Sequence, residues 1–179
     1  YRFVVENNTP NGHNVNFTIR FKDNNDSVWI SYPSITVYAP VLRYQDRLIT
    51  GGNNNGVLDP GETANLIVVL RNQGGAAGSN ITGVLMGGAP HITINDANGS
   101  FGTINPGASG NNDADPFVIT CASNAPLGDS VLLRVALTSG VYVDTIQFYL
   151  FIGWKLPTDA RSYVYWSGLP YPRAPVYSW

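Results

Sequence analysis

The sequence predicts an all-β protein whose central unit is an immunoglobulin-like antiparallel β-sandwich. Strand-like alternation of apolar and polar residues recurs about every ten to fifteen residues, and clusters of Gly, Pro and Asn separate the runs. No window keeps the 3.6-residue period of an amphipathic helix. Seven or eight such runs within about 110 residues are typical of an immunoglobulin-like sandwich.

The predicted sandwich spans residues 41–153 and contains eight runs. Each run alternates apolar and polar side chains, so that one face of the strand is directed toward a core. The predicted strands are Val41 to Ile49, Thr63 to Asn72, Asn80 to Met86, Ile92 to Asn95, Gly99 to Ile104, Phe117 to Ala122, Ser130 to Thr138 and Tyr142 to Ile152.

An internal repeat defines the ends of this unit. The run Thr9 to Gly12 and the alternating residues after it match Ala125 to Gly128 and its following strand, 116 residues later. A second match, of Ile35 to Pro40 with Phe148 to Gly153, has a separation of 113 residues, which predicts a hairpin loop three residues longer in the first copy. Residues 1–40 are therefore predicted to be the closing half of a similar sandwich.

Half a sandwich exposes an apolar face and unpaired strand edges, which makes it unstable alone. Its other strands are expected from sequence outside the chain or from a neighbouring copy. Residues 154–179 are rich in Tyr, Trp and Pro and end in Ala174-Pro175-Val176-Tyr177-Ser178-Trp179. This tail is predicted to be a linker entering a further strand, or a strand donor that builds a head-to-tail filament from neighbouring copies.

Composition limits the class of protein. Of the 179 residues 44% are hydrophobic, which suffices for a packed core, and only 12% are charged. So little charge is common in proteins outside cells. The net charge of -2 and the lack of a Lys/Arg cluster argue against nucleic acid as a partner. Because no run of eighteen apolar residues occurs, no membrane insertion is predicted.

Cys121 is the only cysteine, which excludes an internal disulfide framework and a four-cysteine zinc site. It lies in the alternating run Phe117 to Cys121, so we expect a small buried residue rather than a reactive thiol. The chain begins inside a strand-like segment, Tyr1 to Val5, without a visible signal peptide. We interpret it as a piece of a longer or processed precursor.

Gly51 to Glu62 has most of the spacing of a calcium loop. In such loops oxygen ligands stand at positions 1, 3, 5, 7, 9 and 12, with a glycine at position 6. Gly56 occupies position 6, where the chain needs a positive φ, and Leu58 is expected to point inward and anchor the loop. The candidate ligands are Asn53, Asn55, Val57 through its carbonyl, Asp59 and Glu62.

The first position is Gly51 instead of aspartate, so a metal needs another carboxylate or binds weakly. Asp46, five residues upstream, is the nearest candidate. Strand-like flanks and the pair Pro60 and Gly61 argue against an EF-hand, because a helix would not continue through them. The alternative is an Asn- and Gly-rich turn without metal, since both residue types favour turns.

The run from Leu58 to Gly74, preceded by Gly-Asn-Asn-Asn-Gly, resembles a β-sandwich module common in large secreted and cell-surface bacterial proteins. Those modules share an "NGxLDPGE" loop, an alternating strand and an "N-x-G" turn, and all three occur here in that order. Phe101 to Gly107, Ala125 to Gly128 and the tail also fit. Related modules accompany gingipain-like peptidases and adhesin-like surface proteins.

This resemblance implies a non-catalytic spacer or assembly unit. It also implies a calcium site and places the ligands within the loop and just before it. The ligands that it implies are Asp46, Asn53, Asn55, Asp59 and Glu62.

Few residues in the sequence suit catalysis, which needs a nucleophile with a base and an orienting group, or a metal with an open position. His13 and His91 belong to different predicted units and lack metal-ligand spacing, so we interpret both as surface histidines. Asp113 and Asp115 are either paired carboxylates or part of a solvated loop, and we favour the loop. No enzyme activity is predicted.

Two features make glycans candidate partners. N-x-S/T triplets begin at Asn7, Asn16, Asn25, Asn80 and Asn98. The aromatic residues of the tail either stack on carbohydrate or pack between domains, and packing is the favoured interpretation. They are Trp154, Tyr163, Tyr165, Trp166, Tyr171, Tyr177 and Trp179.

These features predict a non-catalytic, calcium-stiffened structural module of a bacterial extracellular or cell-surface protein. We expect it to stack in tandem or head to tail with neighbouring copies or adjacent domains. The alternatives are an accessory domain of a secreted hydrolase, such as a gingipain-like peptidase, and a carbohydrate-binding or adhesion module.

Overall fold

A computed structural model describes residues 2–6, 8–87 and 90–153. This part of the chain is all-β and antiparallel, as predicted, and contains no helix that could cross a membrane. Its strands are β1 (His13–Asn16), β2 (Ile19–Lys22), β3 (Val28–Ser31), β4 (Ser34–Val37), β5 (Leu42–Thr50), β6 (Thr63–Asn72), β7 (Gly78–Met86), β8 (Ile92–Asp96), β9 (Asn98–Ile104), β10 (Ser109–Asn111), β11 (Phe117–Cys121), β12 (Ser130–Ser139) and β13 (Tyr142–Phe151).

Strands β5 to β13 form two sheets that enclose one core. In the first sheet β6 pairs with β5 on one side and with β11 and β10 on the other, and β8 follows β11. The second sheet has the order β13-β12-β7-β9. Apolar side chains of both sheets are buried together, and Tyr44 stacks on Phe148 with ring centroids 4.9 Å apart. Two packed layers around one core are the arrangement of a β-sandwich.

Alternation along β12 illustrates why these residues form strands. Val131, Leu133, Val135 and Leu137 are buried, whereas Arg134 between them is exposed. Side chains of a strand point to opposite faces in turn, so this pattern buries one face completely. Each buried aliphatic side chain contributes about 1.5–3 kcal/mol relative to an exposed one.

The eight predicted strands of the sandwich are all present, and their ends lie within two residues of the predicted ones. One further strand, β10, was not predicted because Ser-Gly-Asn shows no alternation. It forms beside β6, and its central Gly110 leaves room for the core: a Cβ there would lie 2.8 Å from Ile104 Cγ1. Close packing against a neighbour, and not propensity, makes this segment a strand.

Strands β1 to β4 form one long hairpin. Its register is continuous from His13 opposite Val37 to Lys22 opposite Val28. Pro33 interrupts the ladder because it has no N–H, although its carbonyl accepts a bond of 2.9 Å from the Phe17 N–H.

One face of this hairpin is apolar and exposed. Phe21 lies opposite Trp29, and these side chains are 55% and 56% exposed. Residues directly opposite in an antiparallel pair share a face, so the remaining members follow from the register. The exposed members of this apolar face are Ile19, Phe21, Trp29 and Ile35. Val15, Phe17 and Val37 belong to the same face but are half-buried, and the ring centroid of Phe3 lies 5.3 Å from that of Phe17.

The hairpin repeats the backbone bonds of the β12–β13 hairpin. Gly12 N–H donates to Val37 O over 2.8 Å, and Gly128 N–H donates to Ile152 O over 2.7 Å, both glycines having φ of 80°. The donors are 116 residues apart and the acceptors 115. The sequence match at 113 residues was therefore wrong by two for the returning strand. The first hairpin loop, residues 23–27, is nevertheless three residues longer than the loop of residues 140–141, as predicted, because its ladder ends one pair earlier. A slip of two residues keeps every side chain on its face, so alternation cannot detect it.

The assignment of residues 1–40 to the closing half of a sandwich stays a prediction. The tail of residues 154–179, with its seven aromatic side chains, lies outside the described residues.

Candidate metal-binding loop

The loop of residues 51–62 joins two adjacent strands of the first sheet, β5 and β6. It is anchored by Leu58, which is fully buried and forms a parallel bridge with Ile152. The Leu58 carbonyl also accepts a hydrogen bond of 2.7 Å from the Gly153 N–H. Leu58 thus points inward as predicted, and the loop has strands on both sides, unlike an EF-hand.

The end of the loop is fixed by β11. Gly61 N–H donates to Cys121 O over 3.0 Å, and Cys121 N–H donates to Glu62 O over 2.8 Å. The Cys121 side chain is buried, as predicted. Burial raises the pKa of its thiol, a hydrogen bond from the Gly61 backbone opposes this, and the charges of Asp59 and Glu62 add to the rise. Because the thiolate is the reactive form, these effects disfavour nucleophilic chemistry.

Glu62 closes the loop with both carboxylate oxygens. Oε1 accepts the Asn53 N–H over 2.7 Å, and Oε2 accepts the Asp59 N–H over 2.8 Å. Two backbone donors nine and three positions away are thereby held by one carboxylate, and such charge-assisted bonds are stronger than neutral ones.

Three further side chains meet inside the loop. The amide groups of Asn53 and Asn55 both donate to Asp59 Oδ2, over 2.8 and 2.7 Å. Their oxygens accept the N–H of the residue two positions on, Asn55 and Val57, over 2.9 and 2.8 Å. These are Asx turns, which let Asn and Asp fold short loops.

Two glycines allow this shape. Gly56 has φ of 79°, as its place in the spacing requires. Gly52 has φ of 54°, and a Cβ on it would lie 1.9 Å from Glu62 Oε1. The close approach of Gly52 to Glu62 was not predicted. Only the folded structure shows whether a glycine is needed for space or for a turn.

Asp46 precedes the loop in β5, and its Oδ1 accepts the Arg47 N–H over 2.8 Å. A bulge of β5 between Tyr44 and Asp46 shifts the register there. Asp46, Gly56 and Val57 line one open cleft together with Leu150 and Phe151 of β13. The structure therefore joins Asn53, Asn55, Asp59 and Glu62 by hydrogen bonds and places Asp46 in the same cleft as Val57.

The loop offers the kind of ligand atoms that a hard cation binds. Carboxylates, side-chain amide oxygens and the Val57 carbonyl are all oxygen ligands, which calcium prefers. In the described residues no three His, Cys, Asp or Glu side chains form a metal-binding group, so a cation here would depend on the asparagines. It would also have to replace the amide bonds to Asp59, which lowers its affinity.

The other candidate residues do not join this loop. His13 is exposed, and His91 is half-buried with an Nδ1 atom that has no partner among the described residues. Asp113 and Asp115 are exposed in a loop fixed by the buried Asn112, whose Oδ1 accepts the Val68 N–H over 2.7 Å. The described asparagines of the N-x-S/T triplets are exposed: Asn16, Asn25, Asn80 and Asn98.

No protein-family model matches the chain, and a search of curated proteins finds no significant similarity.

Proposed function

We propose that the chain is a non-catalytic structural module of an extracellular or cell-surface protein, made to stack in line with other β-modules and stiffened by calcium at the 51–62 loop. One observation carries the proposal. The hairpin β1–β4 presents a large apolar face to solvent, while the equivalent face of β12–β13 is covered by the first sheet.

The contrast between the two hairpins supports stacking. Val131, Leu133 and Leu150 are at most 2% exposed, whereas Ile19 and Ile35 on the first hairpin are 39% and 44% exposed. Contiguous exposed apolar surface of this kind is typical of protein interaction sites. The opposite face of the first hairpin is more polar: it carries Arg20 and Lys22, although Val28 and Ile30 are also exposed on it.

The stacking role predicts concentration-dependent association through the apolar face. In sedimentation velocity over a dilution series, we expect the full chain to associate and Trp29→Lys to remain monomeric, because a lysine would be desolvated in the contact. Tyr32→Lys is the matched control: Tyr32 is 74% exposed on the other face and should leave association unchanged. A full chain that stays monomeric at every concentration, with a melting profile that does not change with concentration, would contradict stacking between copies.

The calcium role predicts a metal-dependent melting temperature. A ligand that binds only the folded state at one hundred times its Kd stabilises by about 2.7 kcal/mol. For a chain of this size that corresponds to a difference in melting temperature of roughly 5–11 °C between calcium and chelator. Differential scanning calorimetry in both conditions measures the difference.

Two variants separate metal binding from loop stability. Asp59→Asn is expected to abolish the calcium-dependent difference, because it removes one of the two loop carboxylates. Asp113→Asn changes an exposed carboxylate in a different loop and should preserve the difference. Equal melting temperatures of the full chain in calcium and in chelator would reject the calcium role and leave the turn without metal as the interpretation.

A further inference from the structure

The first hairpin is joined to the sandwich by a short segment that three hydrogen bonds tie to the end of β6 and the turn after it. The extended residues Ala39 to Val41 run beside the turn between β6 and β7. Gln73 N–H donates to Val41 O over 2.8 Å, and Ala76 N–H donates to Ala39 O over 3.4 Å. The Val41 N–H donates to the buried Asn72 Oδ1 over 3.1 Å. A connection held in this way does not behave as a flexible linker.

Asn11, in the turn that begins the hairpin, contacts both parts. Its Oδ1 accepts the Ala39 N–H over 3.1 Å and the Gly75 N–H over 2.9 Å. One donor belongs to the connecting segment and the other to the β6–β7 turn. Asn11 is exposed, so its contribution comes from these two bonds and not from burial.

Two consecutive glycines shape the surface that the hairpin meets. A Cβ on Gly74 would lie 2.1 Å from Ala39 O, and a Cβ on Gly75 would lie 2.2 Å from the Tyr38 ring carbon Cδ1. Neither glycine has a positive φ, so both are required by close approach and not by backbone conformation. Because these two positions lack side chains, the turn has a shallow depression that accommodates the connecting backbone and the Tyr38 ring.

We infer that the β6–β7 turn, residues 73–77, is a docking surface for the base of a β-hairpin unit, and that Asn11 fixes the angle between that unit and the sandwich. The occupant of this surface is the β1–β4 hairpin of the same chain, whose first turn, Pro10-Asn11-Gly12, presents the Asn11 side-chain oxygen. The inference deepens the proposed function by naming the junction between stacked units, but the contacts that carry it do not involve the calcium loop or the apolar face.

The equivalent turn at the other end of the sandwich has no such side-chain acceptor. Leu127 occupies the place equivalent to Asn11, in a turn with the same backbone bonds, and it is 72% exposed. A leucine cannot accept the two N–H groups. The turn before β12 therefore cannot make the contact that Asn11 makes with the β6–β7 turn.

Spin-label distances test the inference. Labels at Asn25→Cys, in the loop of the first hairpin, and Val143→Cys, on the sandwich, are introduced into the full chain with Cys121→Ala. Labelled protein is mixed with excess unlabelled protein so that only distances within one molecule contribute. We expect a narrow distance distribution, a distribution at least twice as broad with Asn11→Leu, and recovery with Asn11→Asp, whose carboxylate accepts both N–H groups.

Amide exchange supplies a second measurement. Loss of the Asn11 acceptor should speed exchange at Gly75 by about tenfold, with no change at Leu133 in the core. A parent distribution as broad as that of Asn11→Leu would overturn the inference, and so would Asn11→Leu leaving both measurements unchanged. A narrow distribution in a chain that never associates would support this junction and reject stacking, so the two proposals fail separately.

Discussion

Replacing Asn72 by alanine is expected to lower the free energy of unfolding by about 3–5 kcal/mol, because several buried main-chain groups lose a partner together. Asn72 is fully buried, and its Oδ1 accepts the N–H groups of Val41 and Gly74. Its Nδ2 donates to the carbonyls of Ala76 and Ile104 over 2.8 and 3.0 Å. Each such group left unpaired costs about 1–3 kcal/mol, reduced where water reaches it.

Urea unfolding followed by far-UV circular dichroism measures this loss. Gln73→Ala is the control, since the exposed neighbouring side chain should change stability by no more than about 0.5 kcal/mol. A cost below about 1 kcal/mol for Asn72→Ala would mean that water replaces the amide and that the turn does not depend on it.

Leu58→Ala is expected to cost about 2–5 kcal/mol, because it leaves a cavity where the loop enters the core. Leu58 is fully buried, whereas the adjacent Val57 is half-buried at the cleft. The loss should also loosen the attachment of the loop to Ile152 and Gly153, since the buried side chain positions the carbonyl that they meet.

Chemical unfolding compares Leu58→Ala with Val57→Ala, which removes fewer buried atoms and should cost distinctly less. Amide exchange at Gly153 reports the attachment directly, and we expect it to accelerate in Leu58→Ala alone. Equal costs for the two variants would show that Leu58 is not the anchor of the loop.

The strands of the sandwich could be predicted because their alternation follows from the burial of one face. β6 illustrates this, since its predicted and observed ends coincide at Thr63 and Asn72. β10 could not be predicted, because its three residues carry no apolar pattern and pair with β6 through close approach at Gly110. The register of the repeat was also beyond the sequence, since a shift by two residues changes no face.

The side chains that meet within the 51–62 loop could also be predicted, whereas the place of Asp46 could not. Its spacing identified the residues that meet in space, Asn53, Asn55, Asp59 and Glu62, because they are close along the chain and a short loop brings them together. The place of Asp46 depends on a bulge in β5 and on the packing of β13, which involve contacts distant in sequence. Calcium itself stays a prediction.

The burial of two asparagines could not be predicted from the sequence. Asn72 was predicted only as the end of a strand and Asn112 was not singled out, yet both are fully buried and bind main-chain groups. Composition gives no sign of this, because an asparagine in a turn looks the same whether its amide faces solvent or the core. The buried main-chain groups around each residue, and hence the need for its amide, are defined only by the folded chain.

The parallel bridge between Leu58 and Ile152 connects the loop to the end of the sandwich at which a pulling force on the following chain would act. Tension applied to the chain beyond Gly153 reaches the bond from the Gly153 N–H to Leu58 O before it can peel β13 from β12. We therefore expect the loop closed by Glu62 to share a pulling force with the segment before β12, whose Gly128 and Asp129 are hydrogen-bonded to Ile152.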